Sequence, residues 1–426
     1  MKRVVILCVW LFSVVAGHVQ LSLDECRRLA RENYPEIRQY DLVHQTEQYN
    51  LSNAARAWIP QLAFSAQATW QTDAPNFPKE LTGMLAQQGL EIPGLRKDQY
   101  KVALELNQTI WDGGKSVADK RIARAEAAEQ KTMTDVDLYE LEGRVDDLYF
   151  GILLLDERIA QTNLTLNLLR SNLEKVRALQ RNGVAMQSDA DVLEAELLSV
   201  GQQLIQFESS CDSYRRMLGI FIGQKVGDRK LQRPSAVQPL SGESARPELA
   251  MFAAKIDRLT AQEKMVKSSS MPRLGFFAQG YYGYPGLDYM QGMMNSDWSW
   301  NAMLGVKLSW NFGAYYRQTN NLDTLRTSRQ QVGVKRDVFL FNMNLQAAQE
   351  NGDIARLRKA IADDDRIVAL RRSVREAAES KLRNGIIDTH DLLSKITDES
   401  TASMARSMRE IELLKAIYEY KHTINR

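Results

Sequence analysis

No internal run of this 426-residue chain reaches the ~18 apolar residues of a membrane-spanning helix, which excludes a helical bundle in lipid. Proline is scarce, at 10 residues, so long helices meet few interruptions. There is no basic excess: the net charge of +2 resides in Lys2 and Arg3, and the rest of the chain is neutral. A nucleic-acid surface needs such an excess, and none is expected here. Only Cys26 and Cys211 follow the N-terminal segment, too few for a disulfide-stapled scaffold, and they are expected to be unpaired.

The histidines His18, His44, His390 and His422 are scattered, without metal-ligand spacing. No nucleophile–base set assembles, so no catalytic residue, cofactor or metal is expected, and the chain is not read as an enzyme. "WDGGKS" at Trp111 has the flavour of a phosphate loop but lacks the four residues between its glycines. The acidic run 363–365 is read as a solvated helix face rather than a metal site.

What the chain does contain begins with export. Lys2 and Arg3 precede an apolar run, Val4 to Val15, and then Ala16-Gly17; residues 1–17 are predicted to be a signal peptide. The remainder is written twice. "PEIRQYDL" at Pro35 answers "PELAMFAA" at Pro247, and "IPQLAFSAQATW" at Ile59 answers "MPRLGFFAQGYY" at Met271, both with a shift of 212. "VALELNQ" at Val102 answers "LGVKLSW" at Leu304, and "RNGVAMQSDADVL" at Arg181 answers "RNGIIDTHDLL" at Arg383, both with a shift of 202. The predicted organisation is a first repeat over 18–219, a linker over 220–245 and a second repeat over 246–426.

Each repeat carries two stretches of period-2 alternation, the mark of a strand with unlike faces. They cover about 59–71 and 100–111, then about 272–283 and 298–312. In the last, Trp300, Ala302, Leu304, Val306, Leu308 and Trp310 alternate with Asn301, Met303, Gly305, Lys307 and Ser309. Between the strands and the "RNG" turns run about 66 proline-free residues. In the first repeat they carry Leu138, Leu141, Val145, Leu148, Ile152 and Leu155 in steps of 3 and 4. That is a coiled-coil seam, on a rod of roughly 100 Å. Its counterpart is patchier: Val334, Val338, Phe341 and Leu345, then Ile367, Leu370 and Val374.

All six tryptophans beyond residue 17, at 58, 70, 111, 298, 300 and 310, lie in or beside the strands. Aromatics bracketing an apolar band are the pattern of a transmembrane β-barrel, with the wet face toward the lumen. Lipid tolerates no open sheet edge, and four strands cannot close a barrel, so the wall is expected to be shared between chains. Two copies leave little lumen; three supply twelve strands. A soluble sheet on a periplasmic coiled-coil scaffold is the other reading of the same pattern.

The twofold repeat, the "PQL" and "PRL" strand starts, "QTIWDGGK" and the paired "RNG" turns resemble the TolC-type outer-membrane efflux family over essentially the whole exported chain. The resemblance implies a homotrimer, with a twelve-stranded barrel in the outer membrane continuous with an α-helical periplasmic tunnel. It implies a periplasmic adaptor and, through it, an inner-membrane pump as partners. Whether such a duct serves efflux or type I polypeptide secretion stays open. One departure is "SWNFGAYYR", which lacks the double glycine Gly113-Gly114 of the first repeat and leaves that strand-to-helix turn unspecified.

The turns 181–189 and 383–391 are read as helix ends, with Gly183 and Gly385 as left-handed caps and Ser188 and Thr389 as N-caps. By resemblance they are the periplasmic tips: Arg181, Asn182, Gly183, Arg383, Asn384 and Gly385 dock the adaptor. Asp391, with Ser394 where the family carries a second acid, borders the entrance, and Asp191 takes the equivalent place in the first tip. Asp391 also fits a helix-start carboxylate on an exposed first turn. Glu105 and Lys307, on the wet strand faces, are expected to line the lumen.

Overall fold

A computed structural model describes residues 20–90, 92–183, 185–235 and 244–425. The expected signal peptide, 1–17, and residues 236–243 of the expected linker lie outside the described residues. The chain combines long helices with one small antiparallel sheet. In order, the elements are α1 (Leu23–Asn33), a 3-10 turn (Pro35–Arg38), α2 (Gln39–Arg56), β1 (Gln61–Trp70), α3 (Lys79–Gln87), β2 (Asp98–Trp111), α4 (Lys115–Arg181) and α5 (Gln187–Ile222). Then come α6 (Pro247–Ser269), β3 (Arg273–Tyr284), α7 (Tyr289–Met294), β4 (Ser299–Ser309), α8 (Gly313–Arg383) and α9 (Thr389–Ile424). From α2 onward the order helix, strand, short helix, strand, long helix, returning helix occurs twice.

The residues form two compact units, one of Tyr40–Lys131 with Met251–Lys335, the other of the remaining stretches. The first unit holds the sheet, whose order β1-β2-β3-β4 leaves one edge of β1 and one edge of β4 unpaired among the described residues. Leu62↔Leu106, Val102↔Tyr282 and Ala278↔Leu304 place even-numbered residues on one face. Ala63↔Glu105, Glu105↔Gln279 and Gly275↔Lys307 place odd-numbered residues on the other.

The two turns from strand to long helix differ. After β2, Asp112 accepts from the Gly114 and Ser116 N–H groups at 2.9 and 2.7 Å, and Gly113 and Gly114 take φ of +72° and +85°. Burial alone would raise the Asp112 pKa, but these bonds and that of the Ser116 hydroxyl hold it below the usual carboxylate value. After β4 no positive φ is needed: Ala314 and Tyr315 N–H donate to the carbonyls of Asn311 and Phe312, and the Trp310 indole donates to Ser270 O at 3.0 Å. The missing double glycine is thus replaced by an ordinary tight turn.

In the second unit the α4 seam is core. Leu138, Leu141, Val145 and Ile152 are fully buried. Farther along, Leu166, Leu169, Leu173 and Val176 join Leu193 of α5, Ala378 of α8, and Leu392 and Ile396 of α9 in one apolar cluster. Cys26 and Cys211 are buried and free. Around the start of the expected linker, Leu21 forms a parallel bridge with Leu231, and the Tyr149 hydroxyl lies against the carbonyls of Leu21 and Gln232 at 2.8 and 2.6 Å.

Candidate functional site: an amphipathic sheet and two helical tips

The even face of the sheet carries no charged side chain from β1, β3 or β4, and in β2 it reads Tyr100, Val102, Leu104, Leu106 between the polar residues Asp98 and Gln108 near the strand ends. It is also uncovered: Phe64 is 73 % exposed, Leu304 76 % and Trp300 82 %. A water-soluble sandwich would bury such a face, since contiguous apolar surface in water is unfavourable. Aromatics gather at both ends. Tyr100 stacks on Trp298 at 5.7 Å, with Tyr282 5.4 Å from Trp298 and 5.1 Å from Trp300. At the other end Trp310 packs on Phe312 at 4.7 Å.

The odd face is polar and internally bonded. Lys101 Nζ donates to Gln279 Oε1 at 3.0 Å, and Gln279 in turn donates to Glu105. Glu105 is therefore a member of a cross-strand ladder rather than a free carboxylate. Lys307 sits opposite Gly275 and is exposed. Two aromatics that interrupt the alternation of β3 are also explained: Tyr281 lies under the Lys101 ammonium at 4.6 Å, and the Phe277 ring covers Gly305, where a Cβ would approach it to 3.0 Å.

The tips belong to the helical unit. Gly183 and Gly385 take φ of +75° and +68°, with Gly183 N–H bonded to Gln180 O and Gly385 N–H to Leu382 O. Arg181 and Arg383 end their helices, and Asn182 and Asn384 bond back to Ala178 O and Ser380 O. The N-caps differ from those expected. Asp388, not Thr389, caps α9, its Oδ1 accepting from Asp391 N–H at 2.8 Å. Thr389 is the first helical residue and is buried. Met186, not Ser188, occupies the cap position of α5, and its N–H donates to Asp189 Oδ2 at 2.8 Å. A carboxylate at the cap position, or three residues after it, satisfies the orphan donors better than a hydroxyl.

Asp391, Ser394 and Asp191 are exposed within the first two turns of the returning helices, and Asp191 accepts from Gln187 Nε2 at 2.7 Å. Sequence reasoning missed an ion-pair cluster above the tips: Arg375 reaches Glu379 and Glu399, Arg372 lies 3.2 Å from Glu399, and Lys175 of α4 lies 3.4 Å from Glu379 of α8. Burial opposes the Arg375 charge, yet Glu399 and Glu379 hold its pKa above the ordinary value. Its members come from three helices, so no local spacing could have revealed it.

Among the described residues, no group of His, Cys, Asp and Glu is arranged to hold a metal ion. The fold is shared with outer-membrane channels. The outer membrane protein VceC from Vibrio cholerae matches with a TM-score of 0.67 and 14% identity, over 94% of this chain and 95% of that one. The outer-membrane channel OprN matches at 0.69 and 14%, over 94% and 89%. The open state of the Neisseria gonorrhoeae MtrE outer membrane channel matches at 0.64 and 14%, over 94% and 88%. No curated protein matches by sequence. Residues 27–223 match the family model described as outer membrane efflux protein. By sequence, that stretch resembles the outer membrane efflux proteins, and beyond it the likeness to outer-membrane channels is one of fold.

Proposed function

We propose that this chain is the outer-membrane exit duct of a tripartite efflux or export system. Three copies form a twelve-stranded barrel, two structural repeats each, continuous with a helical passage in the periplasm. The duct is passive: a pump of the inner membrane, joined through a periplasmic adaptor, supplies the energy, and no covalent step occurs in this protein.

The observation that carries this reading is the sheet itself, with an uncovered apolar face, aromatics at both ends and two unpaired edges. In lipid each unpaired backbone group costs several kcal/mol, so identical edges must meet. The long helices repeat the message: Val334 of α8 is 61 % exposed and Phe341 63 %, a heptad-spaced stripe that nothing in one chain covers among the described residues. In this reading the caps at Gly183 and Gly385, with Arg181, Asn182, Arg383 and Asn384, form the adaptor-docking tips. Asp391, beside Ser394, brings three carboxylates near the axis at the entrance, while Asp191 faces its neighbours. Glu105 and Lys307 face the lumen.

The test is fractionation and mass. The protein should resist a salt wash of the outer membrane, require detergent, and emerge as a particle three chains in mass that conducts ions in planar bilayers. Release by salt as a monomer would overturn the proposal.

A further inference from the structure

The odd face of the sheet ends, toward β4's Ser309, in a recess of about 580 Å³ lined by charged side chains of both signs. The acids there are all engaged. Glu105 is tied through Gln279 to Lys101. Asp112 is held by the Gly114 and Ser116 N–H groups. Asp119 pairs with Lys115 at 2.8 Å. The cations Arg273 and Lys307 are not engaged: both are exposed, and neither has an ion-pair or hydrogen-bond partner among the described residues.

Their placement is set by the register. Arg273 faces Ser309 and Gly275 faces Lys307, so the two residues are diagonal neighbours on adjacent strands, with their backbone positions about 7–8 Å apart. Like charges so placed repel and are held apart only by solvent. Opposite Lys307 stands a glycine, so no side chain crosses in front of the ammonium. We infer that Arg273 and Lys307 form an anion-attracting collar on the wet face of the strand section, a filter that concentrates multivalent anionic solutes. This rests on the barrel reading, in which three copies place six such cations around one lumen. At 0.1 M salt their field extends about 10 Å from the wall.

The probe is inorganic tripolyphosphate, added to the purified protein in planar bilayers. Current through the parent channel should fall, and in Lys307→Gln/Arg273→Gln the blocking concentration should rise by about tenfold or more, as the loss of close charge partners implies. In a KCl gradient the variant's reversal potential should move toward cation preference. Lys307→Gln alone should show a smaller change of the same sign, which covers the case in which the double variant does not assemble. A parent that conducts but ignores tripolyphosphate, or variants blocked like the parent, would overturn the collar while leaving the duct intact. A parent that never conducts would overturn the duct, and the collar with it.

Discussion

The rods α4 and α8 occupy the same place in the repeated order and are nearly the same length, 67 and 71 residues, yet they meet opposite fates. On α4 the heptad residues Leu138, Leu141 and Val145 are fully buried by the chain's own helices. On α8 the stripe Val334, Val338, Phe341, Leu345 stays bare, and the helix packs on α9 through another face, Ile354 and Leu357 against Ala416 and Ile417. Two faces, one satisfied and one not, cannot both belong to α8's partner in the same chain. The difference teaches that the α4 seam is satisfied within one chain, whereas the α8 stripe is left for the second copy of the proposed trimer.

The sharpest way to break that comparison is to charge the bare stripe. If the proposed trimer forms through this stripe, Phe341→Asp with Leu345→Asp should abolish it while leaving a folded chain, because neither side chain contributes to the core of one copy. Size and circular dichroism of the detergent-solubilised variant report the two effects separately. A trimer that survives would mean the stripe faces solvent in the assembly.

Truncating the buried seam should act the other way. Leu141→Ala is expected to cost about 2–5 kcal/mol of stability, the range for a fully buried leucine. Phe341→Ala should cost the dissociated chain no more than about 0.5 kcal/mol, as surface substitutions do. Thermal unfolding above and below the dissociation concentration distinguishes them.

The rods also start differently. At Gly113, φ is +72° and a Cβ would lie 2.8 Å from Met271 Cβ; at Gly313 no positive φ occurs and the nearest atom is a side-chain oxygen at 3.2 Å. Gly113→Ala should therefore cost about 2–4 kcal/mol, strain plus overpacking, and Gly313→Ala within about 1 kcal/mol of nothing. Equal effects on the thermal midpoint would show that the two turns share a geometry.

Much of this was legible because it is local. The period-2 alternation places Leu62, Leu104 and Leu304 on one face, and the same residues share a face in the sheet. The glycines of the "RNG" turns are read correctly as left-handed caps, since few other residues accept that conformation. The N-caps were misjudged by one or two positions because Asp388 and Asp189 compete with neighbouring hydroxyls, and only backbone geometry decides. The Arg375 cluster and the Lys101–Gln279–Glu105 ladder were hidden for a different reason. Their partners are as much as 204 residues apart in sequence, and charge at a heptad or strand position does not name its counterpart. The exposure of α8 could not be read either, because a seam looks the same whether its partner is in cis or in trans.

The smallest effect sharpens the comparison through α9, whose last turn touches both rods. Thr423 donates to Glu350 of α8 at 2.8 Å, while His422 stacks on Tyr139 of α4 with centroids 4.2 Å apart. Burial, with the charges of Arg246 and Arg27, pushes the imidazole down to about 4, below an ordinary value near 6.5. The unfolded chain therefore binds a proton that the folded chain refuses between those values. Stability is complete above pH 6.5, is lost as pH falls toward 4, and changes no further below it on this account. With the partly open surroundings discounted, the loss is roughly 1–2 kcal/mol. His422→Gln should flatten that portion of the pH–stability curve, measured as the difference from the parent so that carboxylates of opposite sign, such as Glu419, cancel. Acid should thus loosen α9 from α4 first, and amide exchange around Tyr139 should rise before exchange around Glu350. An unchanged slope in the variant would mean that the imidazole takes up its proton equally in the folded and unfolded chain, and that the hold of α9 on the buried rod is no more acid-sensitive than its hold on the bare one.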